Sequence, residues 1–397
     1  MKTTLAAAMI YSGLFAMIHL ASGQTWMPTM APVTSWWSVG SSADGNNLVA
    51  AEFLGAIYTS TNSGQNWMSN AVPAIRWNSV ASSADGSMLI AAATSGGIYV
   101  STNGGTLWTQ PTSVAGISAM SVASSASGNF MFSAFSGGSD RFFVSTNAGT
   151  TWVSNTIPSA LFGVIAIASS ADGTKLAVVF NKIYTSTNSG VTWMSNNVPD
   201  LNWRSVASSA DGRILTAVYQ TGSGGGIYTS TNFGNTWMPD NAPNLYWTAV
   251  ASSADGTKLV AGGFINTGYS IGPIYTSTNM GVDWISNNAP LEHWSAMADS
   301  ADGNKMVALT SQTPPAGIFT AQTAATPRLN IASGNNDTLA FSWIVPSTNF
   351  VLEQNVDLTT TNWMTLTNMP TLNLTNLQDE VFLPGTNTSD FFRLVEQ

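Results

Sequence analysis

Ser82-Ser83-Ala84-Asp85-Gly86, followed further on by Ser101-Thr102-Asn103-Gly104-Gly105-Thr106-Leu107-Trp108, is one copy of a unit that recurs along the chain. The first string returns with its Asp at Asp44, Asp85, Asp172, Asp211 and Asp255. Altered copies occupy Ser124–Gly128, where Ser127 replaces the Asp, and Asp299–Gly303. The seven copies start 39 to 47 residues apart. The second string begins at Ser60, Ser101, Ser145, Ser186, Ser230 and Ser277, and ends at Trp67, Trp108, Trp152, Trp193, Trp237 and Trp284. Self-similarity at such a period marks a repeat architecture.

Each repeat reads as four strands. In the second, Trp77 to Ser82 forms the innermost strand, Asp85-Gly86 a tight turn, and Met88 to Ala93 the returning strand. Ile98 to Ser101 follows, then a turn over Asn103–Gly105, and Trp108 opens the outer strand. A four-stranded unit of this size is a propeller blade; alone it buries neither face, so neighbours must stack and the stack must close. The seventh repeat stops at Ile318-Phe319-Thr320-Ala321 without its Trp half. That half stands at the amino terminus, where Ser22-Gly23-Gln24-Thr25-Trp26-Met27 matches Ser63-Gly64-Gln65-Asn66-Trp67-Met68. The expected fold is all-β: a seven-bladed propeller over 24–321, its last blade completed by Gln24 to Pro28.

The string Ser-Thr-Asn-x-Gly-x-x-Trp resembles the Asp-box, or bacterial neuraminidase repeat, with Asn62, Asn103, Asn147, Asn188, Asn232 and Asn279 where that motif has Asp. The motif is found in sialidases, in xyloglucan-degrading hydrolases and in the photosystem II assembly-factor family. The resemblance spans about residues 22–321 and implies a fold without implying an activity. The Asn is expected to fix its turn by bonding the backbone two residues on. Burial of the partner Trp, roughly 4–6 kcal/mol as an upper estimate, outweighs that bond at about 0.5–1.5 kcal/mol. The box therefore reads as scaffold. The Asp-Gly turns read the same way, because one carboxylate per blade is too dispersed for a calcium loop.

Composition narrows the task. A net charge of −9 with only 11 Lys and Arg argues against nucleic acid. Cysteine is absent, which removes disulfides, thiolate nucleophiles and Cys-based metal sites, and suits a bacterial exported repeat domain. Residues 1–23 read as a signal peptide: Lys2, an apolar run from Leu5 to Leu20, and Ala21-Ser22-Gly23 before cleavage at Gln24. An uncleaved anchor is the alternative. Cleavage leaves His293 as the single histidine. The expected location is the cell envelope or the exterior, without membrane insertion of the mature chain, and as a monomer.

Binding is expected on the face that carries the blade-to-blade connections. Trp36, Trp77, Trp203, Trp247 and Trp294 share one position at the start of the inner strand, with Ala119 and Val164 in the other two blades. They form either inter-blade packing or an aromatic mouth for sugar rings. Non-repeated residues on that face are Arg76, Arg204, Tyr246, Glu292 and His293, with Glu52, Asp140, Arg141 and Tyr269 in loops and a long loop over 265–273. The expected ligand-contacting set is thus Arg76, Trp77, Trp203, Arg204, Tyr246, Trp247, Glu292, His293 and Trp294. No catalytic residue, metal ligand or cofactor is singled out.

Sialidase chemistry needs an arginine triad, a Tyr–Glu pair and an acid/base Asp. The propeller offers Arg76, Arg141, Arg204 and Arg213, of which Arg213 follows an Asp-Gly turn on the other face. Another paired-carboxylate hydrolase would have to draw on Glu52, Asp140, Asp200, Asp240 and Glu292. Ser–His–Asp chemistry would rest on His293 with no nucleophile elbow.

After a linker at 322–327, residues 328–397 lose the repeat. Alternating segments at 328–332, 338–344, 350–354, 363–367, 380–383 and 391–394 predict an immunoglobulin-like β-sandwich. The centre from Leu352 to Leu358 and the Phe-Phe-Arg-Leu end resemble an accessory module of secreted bacterial proteins, which implies no catalysis. The expected function is recognition or scaffolding of a glycan or protein partner. The alternatives are a carboxylate-dependent glycoside hydrolase and an assembly factor for an envelope complex.

Overall fold

The computed structural model describes residues 25–135, 141–156, 165–265, 270–311, 316–323, 329–333, 338–344, 350–356, 360, 362–368, 370–374, 377–384 and 390–396. The signal peptide expected at 1–23 lies outside them. The described residues form strands and turns throughout, apart from one 3₁₀ turn at Thr112–Val114. The chain divides into two compact units, Gln24–Ala324 with Leu374–Leu377, and the remainder.

The first unit is a propeller of seven antiparallel sheets. Blade 1 is built from Trp36–Ser41, Leu48–Glu52, Ile57–Ser60 and Met68–Ser69, and the others repeat that order outward. Blade 2 has three strands, with an isolated Val100–Thr109 bridge where the fourth would run. Blade 7 is closed by the amino terminus: Met27 pairs with Thr320 and Pro28 with Phe319. At the turn face a second closure runs through the backbone. Each Ala of the Ser-Ala-Asp/Ser-Gly turn donates to the Ala of the next blade, at 2.7–2.8 Å, from Ala43→Ala84 around to Ala301→Ala43.

The core lies between blades. The second strands are buried over most of their length, and throughout in Leu89–Ala93 and Leu176–Val179, because neighbouring blades cover both faces. Packing clusters accordingly join residues of adjacent blades, such as Val49 and Ile57 with Trp77 and Val80.

The Asn turns differ from expectation in one respect. Asn188 Oδ1 accepts from Thr192 N, four residues on, at 2.8 Å and from Ser186 Oγ at 3.0 Å, while Ser186 Oγ accepts from Gly190 N at 2.9 Å. The bond two residues on belongs to the Asp-Gly turns, where Thr174 N donates to Asp172 Oδ1 at 2.9 Å. The longer Asn turn holds two consecutive residues at positive φ, so the i+4 amide is the one within reach: Ser189 is at +56° and Gly190 at +79°.

The second unit has two sheets. One contains Asn330–Ser333, Thr338–Ile344, Gln378–Pro384 and Thr371–Asn373, and the other Met364–Thr365, Phe350–Asn355 and Phe391–Glu396. Phe341, Trp343, Leu352, Val381 and Leu383 form its core. The strand Thr371–Asn373 escapes the sequence pattern because it is short and mostly exposed.

Candidate functional site

The innermost strands surround a channel whose connection-face half holds a cavity of ≈ 460 Å³, lined from all seven blades. Its lining is set by a local irregularity. The register between first and second strands slips after Trp36, Trp77, Trp203, Trp247 and Trp294. Such a bulge leaves one residue unpaired and re-aims its side chain. The residues after those tryptophans, Trp37, Asn78, Arg204, Thr248 and Ser295, all line the cavity.

This geometry corrects the expected contact set. Trp77, Trp203, Trp247 and Trp294, like Trp36, are 0 % exposed. They pack edge-on against aromatics of the third strands, for example Trp77 on Tyr99 at 5.2 Å and Trp247 on Tyr275 at 5.6 Å. Four of the five indole N–H groups donate to loop carbonyls, among them Trp77 to Gly55 at 3.0 Å and Trp294 to Gly272 at 2.9 Å. An indole so enclosed offers no ring face to a ligand. These residues are inter-blade core.

None of the other expected residues, Arg76, Arg204, Tyr246, Glu292 and His293, belongs to that buried core. Arg76 lies over the Phe53 ring at 4.8 Å, and Phe53 packs on Trp37 at 4.9 Å. Tyr246, Phe264 and His293 form a continuous stack, with centroids 5.1 Å and 5.0 Å apart. Tyr246 Oη donates to Gly222 O at 2.8 Å, and His293 Nδ1 lies 3.0 Å from Ser311 Oγ. Burial holds the imidazole below its usual range, so the ring is neutral near pH 7. Arg204 reaches the cavity with its Nε donating to Gln220 Oε1 at 3.1 Å; Gln220 Nε2 in turn donates to Trp247 O at 2.9 Å.

The acids are dispersed. Glu52 Oε2 accepts from Ala56 N at 2.8 Å within its own turn. Glu292 exchanges backbone bonds with Gly272, and burial pushes its carboxyl upward. Asp200 pairs with Lys182 at 3.4 Å, and Asp240 is enclosed between blades, bonded to Thr229 and Trp284. Asp140 and Tyr269 lie outside the described residues, as does the Arg141 side chain. Among the described residues lining the cavity there is no carboxylate, and no group of three His, Asp or Glu could hold a metal.

Trp37 is the residue that sequence reasoning missed. It is 39 % exposed and lies at the cavity mouth. A signal was present: the Trp position is constant over five blades, while the next residue changes from Trp37 to Asn78, Arg204, Thr248 and Ser295. A constant position followed by a varied one separates scaffold from lining.

No family model matches the chain, and no curated protein matches it in sequence. Solved structures match in fold. A GH74 xyloglucanase from Xanthomonas campestris aligns with TM-score 0.59 at 15 % identity, over 81 % of this chain and 59 % of that one. The chain thus spans about three fifths of the xyloglucanase. YCF48 from Cyanidioschyzon merolae aligns with TM-score 0.57 at 14 % identity, over 75 % of this chain and 98 % of that one. A structure of YCF48 bound to D1 peptide gives TM-score 0.55 at 14 % identity, over 76 % and 97 %. The chain is a β-propeller whose structural neighbours include both hydrolases and a peptide-binding protein.

Proposed function

We propose that this chain is an exported, non-enzymatic recognition or scaffold protein that binds a glycan or a protein segment at the connection-face mouth of its channel. The carrying observation is the ring of bulges. A repeated core holds Trp37, Asn78, Arg204, Thr248 and Ser295 toward one cavity, so lining chemistry varies while the frame does not. Trp37 and the Tyr246–Phe264–His293 stack provide aromatic surface, and Arg204 a bidentate donor. Glycoside hydrolysis by two carboxylates flanking a bond finds no acid in the described lining. The peptide-bound neighbour favours a protein segment as a ligand class, and the xyloglucanase a glycan. The reading of the repeat as an Asp-box, residues 1–23 as a signal peptide and the second unit as an accessory module of secreted proteins belongs to the same proposal.

The test uses the purified protein on a glycan array and in crosslinking pull-downs from envelope extracts, beside Trp37→Ala and Arg204→Gln. Each substitution is expected to weaken a captured ligand by about tenfold or more, since buried Trp and Arg contacts are typically worth ~2 kcal/mol. Stability should not change. Binding that survives both substitutions would move the site elsewhere.

A further inference from the structure

The opposite mouth of the channel has a built composition of its own. The last residue of each inner strand faces a cavity of ≈ 150 Å³: Ser41, Ser82, Ser124, Ser169, Ser208, Ser252 and, in blade 7, Asp299. Each of the six serines donates its hydroxyl proton to the carbonyl of the following residue, at 2.9–3.0 Å. With its proton so committed, a hydroxyl has only lone pairs left to present to the cavity. The ring therefore offers acceptors.

Asp299 stands where the repeat calls for a seventh serine. Its Oδ1 is sealed from solvent and accepts no hydrogen bond. No ion pair reaches it among the described residues: Lys258, which attracts it from a distance, is engaged by Asp302 O at 2.8 Å and Asn304 Oδ1 at 2.7 Å. Asp255 and Asp302 add further negative charge around it, and burial and these neighbours hold its carboxyl well above the usual carboxylate range. A buried carboxylate with one oxygen left without a donor is costly in its charged form unless a proton or a positive charge joins it.

We infer that the turn-face mouth is a cation site, in which Asp299 supplies the charge and the serine hydroxyls accept hydrogen bonds from the water shell of a divalent ion such as Ca²⁺. Oxygen ligands of this kind suit a hard cation, and a single carboxylate sets the affinity on the order of millimolar. The volume accommodates an ion with several waters. Binding here is independent of the ligand proposed for the connection face.

The experiment is thermal unfolding of the full chain against CaCl₂ at constant ionic strength, with NaCl and MgCl₂ series alongside, in the parent protein, Asp299→Ser and Asp299→Asn. Asp299→Ser restores the residue that six blades carry, and Asp299→Asn keeps the shape if the serine ring rearranges. The parent is expected to show a rise of about 1–3 °C at roughly ten times the dissociation constant, growing with the logarithm of calcium concentration beyond it and absent from both variants. Isothermal titration should give one site in the parent and none in either variant. A parent that shows no calcium-dependent shift, or variants that shift equally, would overturn the assignment. So would a parent whose only response is to pH, which would show that a proton alone neutralises Asp299.

Discussion

Asp240 shows how much one atom can matter in a repeated frame. At the equivalent place in other blades an Asn closes the seam: Asn155 Nδ2 donates to Gly190 O at 3.1 Å and Asn196 Nδ2 to Gly234 O. Asp240 has no such donor. When ionised it only accepts, from Thr229 Oγ1 at 3.0 Å and Trp284 Nε1 at 3.3 Å, and burial pushes its carboxyl up to about 7. The folded state thus holds this proton more tightly than the unfolded chain, whose value is near 3.8. Stability is fully present below pH ~4, falls as pH rises toward 7, and stays low above that. Asp240→Asn should restore the donor and add about 1–3 kcal/mol at pH 8, the full linkage being discounted for partial exposure. At pH 4 it should add little. Urea unfolding at the two pH values checks this, and an equal gain at both would refute the assignment. Trp77 gives the complementary case: Trp77→Ala should cost ~3–5 kcal/mol through the cavity it leaves, whatever the ligand.

Within one blade, the hairpin that carries the Asn turn is held by two devices of unequal weight. Asn188→Ala removes the bonds to Thr192 N and Ser186 Oγ and should cost about 0.5–2 kcal/mol. Trp193→Ala removes a ring that is 8 % exposed and packed edge-on against Phe142 at 5.0 Å, and should cost ~3–5 kcal/mol. Paired thermal melts rank the two, and the reverse order would refute the view that burial dominates the motif. The strands and turns of this hairpin were legible from sequence because their signals are local: alternation, Asp-Gly and Asn-x-Gly. The bulge after Trp203 was not. It is a property of how Trp203 and Ser205 register against Tyr219 and Val218, and a single strand carries no record of its partner's register. From sequence, Trp203 could be inter-blade packing or part of the mouth, and Trp203 and Arg204 stand together in the expected contact set. The slipped register buries the first and directs the second into the cavity. That one-residue slip is why the sequence led to Arg204 and His293 but missed Trp37 and included the buried tryptophans.

For the whole propeller, closure is the controlling feature, and it was legible because half of a repeat stood at the wrong end of the sequence. Removing residues 24–28 takes away the strand paired with Phe319 and Thr320 and the buried Trp26, which packs in the cluster with Trp294 and Phe319. Calorimetry should show a large drop in melting temperature. Deleting 326–397 should leave the propeller's cooperative transition in place, and its disappearance would refute the division into two units. The pairing of Met27 with Thr320 has another consequence. Thr25 and Gln322 emerge side by side, so the propeller is, in effect, a closed loop of chain with a nick in it. The position of that nick is a choice of sequence and not of structure. A short linker joining those two ends, with a new opening at any Asn-x-Gly turn, should give a circular permutant with the same cavity and a relocated seam.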